Sequence, residues 1–228
     1  MGMSEGAIQQ AADDLIEAVK PRLRGWLHAG IFPVALVAGI ILVALAPGAA
    51  ARRPATVFVV ASILLFATSA AYHRGRWSPR ALSVWKRLDH ANIYIVIAGS
   101  YTPFAVLALD RPASTIILSV VWAGAAGGIL FRLFWIDAPR WLYTGLYLLT
   151  GWAAIFVIPQ LVDAAGAAAV TLVVIGGLLY TLGGVVYATR WPDPSPRWFG
   201  FHEVFHAFTV LAWIAHYIAV SFVVYGSN

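Results

Sequence analysis

The chain has 228 residues, 61% of them apolar and 11% charged, with a mean hydropathy of +0.80. Soluble domains carry roughly 25% charged residues, so this composition excludes an ordinary soluble enzyme, a disordered regulator and a nucleic-acid-binding domain. The net charge of +5 reports which loops face the cytoplasm rather than affinity for nucleic acid. Absence of cysteine removes disulfides, thiolate metal sites and cysteine nucleophiles.

Residues 1–27 form an N-terminal tail. Glu5, Asp13, Asp14 and Glu17 make it too acidic for a cleavable leader. Ile8, Ala12, Leu15 and Val19 recur at helical spacing, as in an amphipathic helix lying on a membrane surface; a partly ordered polar tail fits equally well. From residue 28 to 228 the chain reads as one membrane domain. A crossing helix needs about 20 mostly apolar residues, and seven segments meet that test: 30–48, 54–73, 89–109, 113–135, 140–160, 168–189 and 202–225. Turn signals separate them, including Ala46-Pro47-Gly48 and the Pro-Asp-Pro-Ser-Pro run at 192–196. Gly-Gly pairs at 127–128, 176–177 and 183–184 suit close helix packing. The expected fold is therefore all-α, a polytopic bundle of seven transmembrane helices in the cell membrane.

Basic residues orient it. With seven alternating spans, one side receives 12 Lys and Arg residues and the other only Arg52, Arg53 and Arg111. The positive-inside rule then makes the N-terminus cytoplasmic and the C-terminus external.

Ionisable residues in or beside spans are functional suspects. His73 ends the second span, Asp89 begins the third, and His202 and His206 open the seventh; this topology sets all four at one depth near the cytoplasmic face. His202 and His206, four apart, share a helix face and make a zinc half-site. His73 adds a third nitrogen, leaving the fourth position to water, as in catalytic zinc centres. Asp89 is placed to act as a base or as a further ligand, and Ser69, one turn before His73, to orient a carbonyl or a ligand. Singly, Ser69 is a packing serine and Asp89 a helix cap; together with three histidines they favour a metal site. His28 and His216 are read as ordinary interfacial residues. His202–His206 also spells the H-E-x-x-H pattern of zinc proteases, with Glu203 as base, but the motif is short and no Asp-Gly accompanies it.

Ser-Ala-Ala-Tyr-His (69–73), Asp89-His90, Ala-Gly-Ser-Tyr-Thr-Pro (98–103) and the His202/His206 pair, in this order, resemble the hemolysin III family. That family is related to the progestin and adipoQ receptors and more distantly to the alkaline ceramidases. The resemblance implies zinc held by His73, His202 and His206, with Asp89 acting through water and Ser69 beside it. Hormone reception is not implied, because the large extramembrane additions of the receptors are missing here.

Three functions follow as expectations. The first is a zinc-dependent hydrolase of lipid amide or ester bonds, with Asp89 and Ser69 as its catalytic groups and a membrane lipid as substrate or ligand. The second is a membrane-state sensor or receptor with a structural or regulatory zinc. The third is a pore-former, disfavoured because several spans show almost no polar face.

Overall fold

The computed structural model describes residues 20–135 and 137–227; the expected amphipathic helix over residues 8–19 lies outside them. The described residues are all-helical, without a β-strand. The elements are α1 (Trp26–Ala44), α2 (Gly48–Arg74), α3 (Pro79–Ala108), α4 (Arg111–Phe134), α5 (Arg140–Gly151), a 3₁₀ segment (Ala153–Val157), α6 (Ile158–Thr189) and α7 (Phe201–Tyr225). Helix starts follow local chemistry. Ser78 and Asp110 cap α3 and α4 by accepting from Ala81 N and Ala113 N, each with proline in the first two positions, where its missing N–H costs nothing.

Six helical stretches among the described residues are long and apolar enough to cross a membrane, against the seven expected. The difference lies at Arg140–Thr189, which counts as one stretch of 50 residues. It is not one straight rod. The 3₁₀ segment interrupts it, and Gly166 leaves helical geometry at φ 82° and ψ 157°. Tyr143 and Tyr187 touch through their hydroxyls at 3.3 Å, and Trp152 Nε1 donates to Thr181 Oγ1 at 2.9 Å, so the stretch doubles back on itself. Tyr101 of α3 holds the break: its hydroxyl donates to Gly151 O at 2.6 Å and accepts from Ala154 N at 2.8 Å. These satisfy backbone groups that a broken helix leaves unpaired, a necessity where water is absent.

Polar side chains stitch the bundle. Asn92 on α3 donates to Leu64 O and Thr68 Oγ1 on α2. Trp213 on α7 donates to Ser62 Oγ on α2 at 2.9 Å, and Tyr217 to Ala38 O on α1 at 2.9 Å. The Gly-Gly pairs pack as their size allows: Gly128 faces the Tyr94 ring, Gly176 the His216 ring and Gly183 Phe208. Outward faces stay apolar, with Val37 57% and Ile40 58% exposed on α1, a surface suited to acyl chains and not to water. Helices α3 and α7 pack against each other within the bundle, and both carry candidate site residues.

Candidate metal centre

His73 sits on the last turn of α2, Asp89 on α3, and His202 and His206 on the first two turns of α7. The fold brings them together at one end of the bundle. The ring centroids of His73 and His202 lie 4.8 Å apart, those of His73 and His206 5.2 Å, and those of His202 and His206 4.5 Å. One nitrogen from each ring falls within 4.8 Å of the other two. His73 Nε2 and His202 Nε2 are 3.2 Å apart. A tetrahedral ion with bonds of about 2.0–2.1 Å to nitrogen spaces its ligands about 3.3–3.4 Å apart, so this edge already fits a small divalent cation. The three histidines can therefore hold a metal.

Around them lies a set of polar groups that such a centre needs. Asp89 Oδ2 is 3.8 Å from His73 Nε2. Ser69 is buried beside the Asp89 carboxyl, its hydroxyl making no hydrogen bond of good geometry. Asp89, Ser69, His202 and His206 line a cavity of about 120 Å³ running between α3, α5, α6 and α7. A second cavity of about 60 Å³ shares Tyr101, Trp152 and His216 with it. The walls are mostly apolar and aromatic, so the cluster is the polar end of a greasy chamber.

Two histidines differ from their expected interfacial role. His28 is 2% exposed, and its ring stacks on His206 at 3.8 Å with 10° between planes; it holds one face of a candidate ligand in place. His216 lies midway along α7, in the wall of both cavities, with Nε2 donating to Val173 O at 3.2 Å. Residues 178 positions apart in sequence meet in the His28–His206 stack, and no local spacing signals it. His90 is a further group that spacing passes over. Its Nδ1 donates to Lys86 O at 2.6 Å, which leaves Nε2 as an acceptor for the Tyr187 hydroxyl at 3.5 Å.

Glu203 faces away from the metal role that H-E-x-x-H gives it. One carboxylate oxygen accepts from Gly200 N at 2.8 Å and the other pairs with Arg24 Nε. The residue is buried and fastens the chain ahead of α1 to the start of α7. Arg22 N and Leu23 N donate to Arg197 O and Trp198 O across the same seam. Gly25 completes this closure at φ 80°, and a Cβ there would come within 2.5 Å of His73 Cβ. A left-handed backbone costs an L-residue about 1–2 kcal/mol, and the clash would add to it by pushing on His73. Gly25→Ala is therefore expected to lose at least about 1–2 kcal/mol of stability and to weaken zinc uptake by the histidine cluster. Thermal melting and elemental analysis check it, and wild-type values in both would refute the account.

A family model described as "Haemolysin-III related" matches residues 16–217. The chain belongs to this family. The haemolysin-III-related chain is 31% identical over 167 residues to the "Hemolysin-3 homolog" of Bacillus subtilis (strain 168), a match covering 73% of this chain and 75% of that protein. It is 33% identical over 132 residues to "Hemolysin-3" of Bacillus cereus, covering 58% of this chain and 60% of that protein. It also matches the "Heptahelical transmembrane protein ADIPOR2" of Oryza sativa subsp. japonica, 31% identical over 187 residues, with coverages of 74% and 81%. Like its family, it is a multi-pass integral membrane protein.

Proposed function

We propose that this haemolysin-III-related protein is a seven-crossing membrane hydrolase that uses zinc on the cytoplasmic side to cleave lipid amide or ester bonds. Several observations support seven crossings. At 1.5 Å per residue, 50 helical residues would span about 75 Å, against a hydrocarbon core of about 30 Å. The break at Ala153–Val157, the Gly166 dihedrals and the Tyr143–Tyr187 contact support reading Arg140–Thr189 as two crossings joined by a turn near Gly166. The relative named heptahelical agrees. Seven crossings restore the 12-to-3 division of basic residues, hence an internal N-terminus, an external C-terminus and an internal metal centre.

The hydrolase reading rests on one observation: three histidine nitrogens within 4.8 Å, at the polar end of an apolar chamber that Asp89 and Ser69 also line. His73, His202 and His206 would hold zinc. Bound zinc supplies Lewis-acid polarisation of a carbonyl and a more acidic water. The chain's own groups do the rest. Asp89, 3.8 Å from His73 Nε2, takes a proton and returns it to the leaving amine or alcohol. Ser69 orients the scissile carbonyl through its hydroxyl. The apolar walls receive the acyl chain and keep bulk water out.

Asp89→Asn tests this reading. General acid–base groups contribute roughly 10²–10⁴-fold, so turnover of long-chain amides or esters by the zinc-loaded protein should fall by that factor while zinc content stays at the wild-type value. Absence of zinc-dependent product from the wild type across a panel of lipid amides and esters would remove the reading. The receptor-like relative favours a second one, a sensor of membrane state with a structural zinc. Loss of a histidine would then lower stability and cellular response alike, with no product from any variant.

A further inference from the structure

Arg132, on the last turn of α4, is 1% exposed. A guanidinium stays charged at any pH a cell meets, and a buried charge needs a partner of opposite sign. Among the described residues no carboxylate pairs with it. Its Nη1 donates to Trp135 O at a long 3.4 Å, its Cζ lies 4.3 Å above the Tyr143 ring, and its Nε has no acceptor. Arg140, at the start of α5, repeats the pattern. Its Cζ lies 5.3 Å from the Tyr187 ring and 5.6 Å from the Phe201 ring, and its Nη1 is buried without an acceptor. Thr144, one turn on from Arg140, is buried with its hydroxyl unpartnered.

These groups belong to one neighbourhood. The Tyr143 and Tyr187 rings beneath the two guanidiniums are 6.2 Å apart. Their hydroxyls are joined to each other and end on His90 Nε2, so they give the arginines a π-face and no anion. All three unmatched atoms are hydrogen-bond donors. What would complete them is an acceptor-rich anion. A carboxylate could accept from all three donors but brings one negative charge to two guanidiniums; a phosphomonoester has a third oxygen and a charge near −2, which matches both. The two arginines lie where α4 ends and α5 begins, and Tyr143, Thr144 and Tyr187 beside them line the first cavity.

We propose that Arg132, Arg140 and Thr144 form a phosphoryl-binding site separate from the histidine centre, for the phosphate of a lipid headgroup or for free phosphate. Nothing in it requires the metal or the hydrolase reading.

The test uses the purified full-length chain in uncharged detergent, titrated by calorimetry. The probes are a single-chain phosphomonoester lipid (lysophosphatidic acid), the monoacylglycerol of the same chain, and inorganic phosphate. A charge-assisted hydrogen bond contributes about tenfold or more in affinity, so the phosphate lipid should bind at least about tenfold more tightly than the monoacylglycerol. Arg140→Gln, at the half-buried rim, should abolish that preference with an unchanged melting temperature. Arg132→Gln should do the same if it folds. A phosphate lipid that outbinds inorganic phosphate identifies a headgroup as the source; equal binding of the two, both sensitive to Arg140, identifies free phosphate. Chelator-treated protein should keep the preference. Equal binding of phosphate lipid and monoacylglycerol, a preference surviving Arg140→Gln, or one lost on chelation would each overturn the proposal.

Discussion

His206→Ala is expected to abolish zinc binding at the candidate metal centre. His206 is 2% exposed, shares its face of α7 with His202, and closes the triangle with His73. Its removal leaves two imidazoles and a wider gap. Outer-sphere groups alone are worth about 10–100-fold in metal affinity; loss of a ligand should exceed about 100-fold on the same scale. The change reaches further than the ion, because His28 loses the ring on which it stacks at 3.8 Å while both its nitrogens stay buried without partners. Lower thermal stability should therefore accompany the loss of metal, and the deficit should not be restored by added zinc. Elemental analysis of zinc-supplemented preparations with parallel melting curves decides it. One zinc per chain in the variant would show that the ion is held elsewhere.

Glu203→Ala is the second substitution with a large expected effect, for a different reason. The carboxylate joins two segments, Arg24 ahead of α1 and Gly200 ahead of α7. Its side chain is 1% exposed and that of Arg24 15%, so the pair is shielded from water and its loss is not a surface event. Removing one member of a buried pair strands the other, at a cost of about 3–5 kcal/mol. Glu203→Gln keeps an acceptor for Gly200 N and should lose less. Denaturant titration in detergent measures both. A zinc-protease base would behave oppositely: Glu203→Ala would be stable and metal-loaded but inactive. That result would return the H-E-x-x-H motif to catalysis.

Much of the architecture is legible in the sequence because hydropathy is a local property. Each apolar run is long enough to be seen alone, and the i, i+4 spacing of His202 and His206 places both rings on one face without any tertiary information. The depth argument for His73 and Asp89 needs only alternation of the spans. Other features depend on contacts that no window contains. Ala153–Ile158 is apolar throughout and Pro159 is the local sign of an interruption beside it; the 3₁₀ break itself is held by Tyr101, some 50 residues earlier. His28 looks like a histidine at a membrane boundary until α7 is laid against α1. Glu203 fits a protease motif by spacing and a tether by geometry, and the partner that separates the two readings is 179 positions away.

The seam between the segment preceding α1 and the start of α7 also bears on biosynthesis. Arg24, Gly25 and His28 leave the ribosome early, whereas Glu203, His202 and His206 emerge only when synthesis is almost finished. Until the C-terminal helix inserts, His73 has no imidazole to share an ion with, Arg24 has no counter-charge and His28 no ring to lie on. Closing the candidate centre thus waits on α7, and a polypeptide that stalls before it holds one of the three clustered histidines, His73.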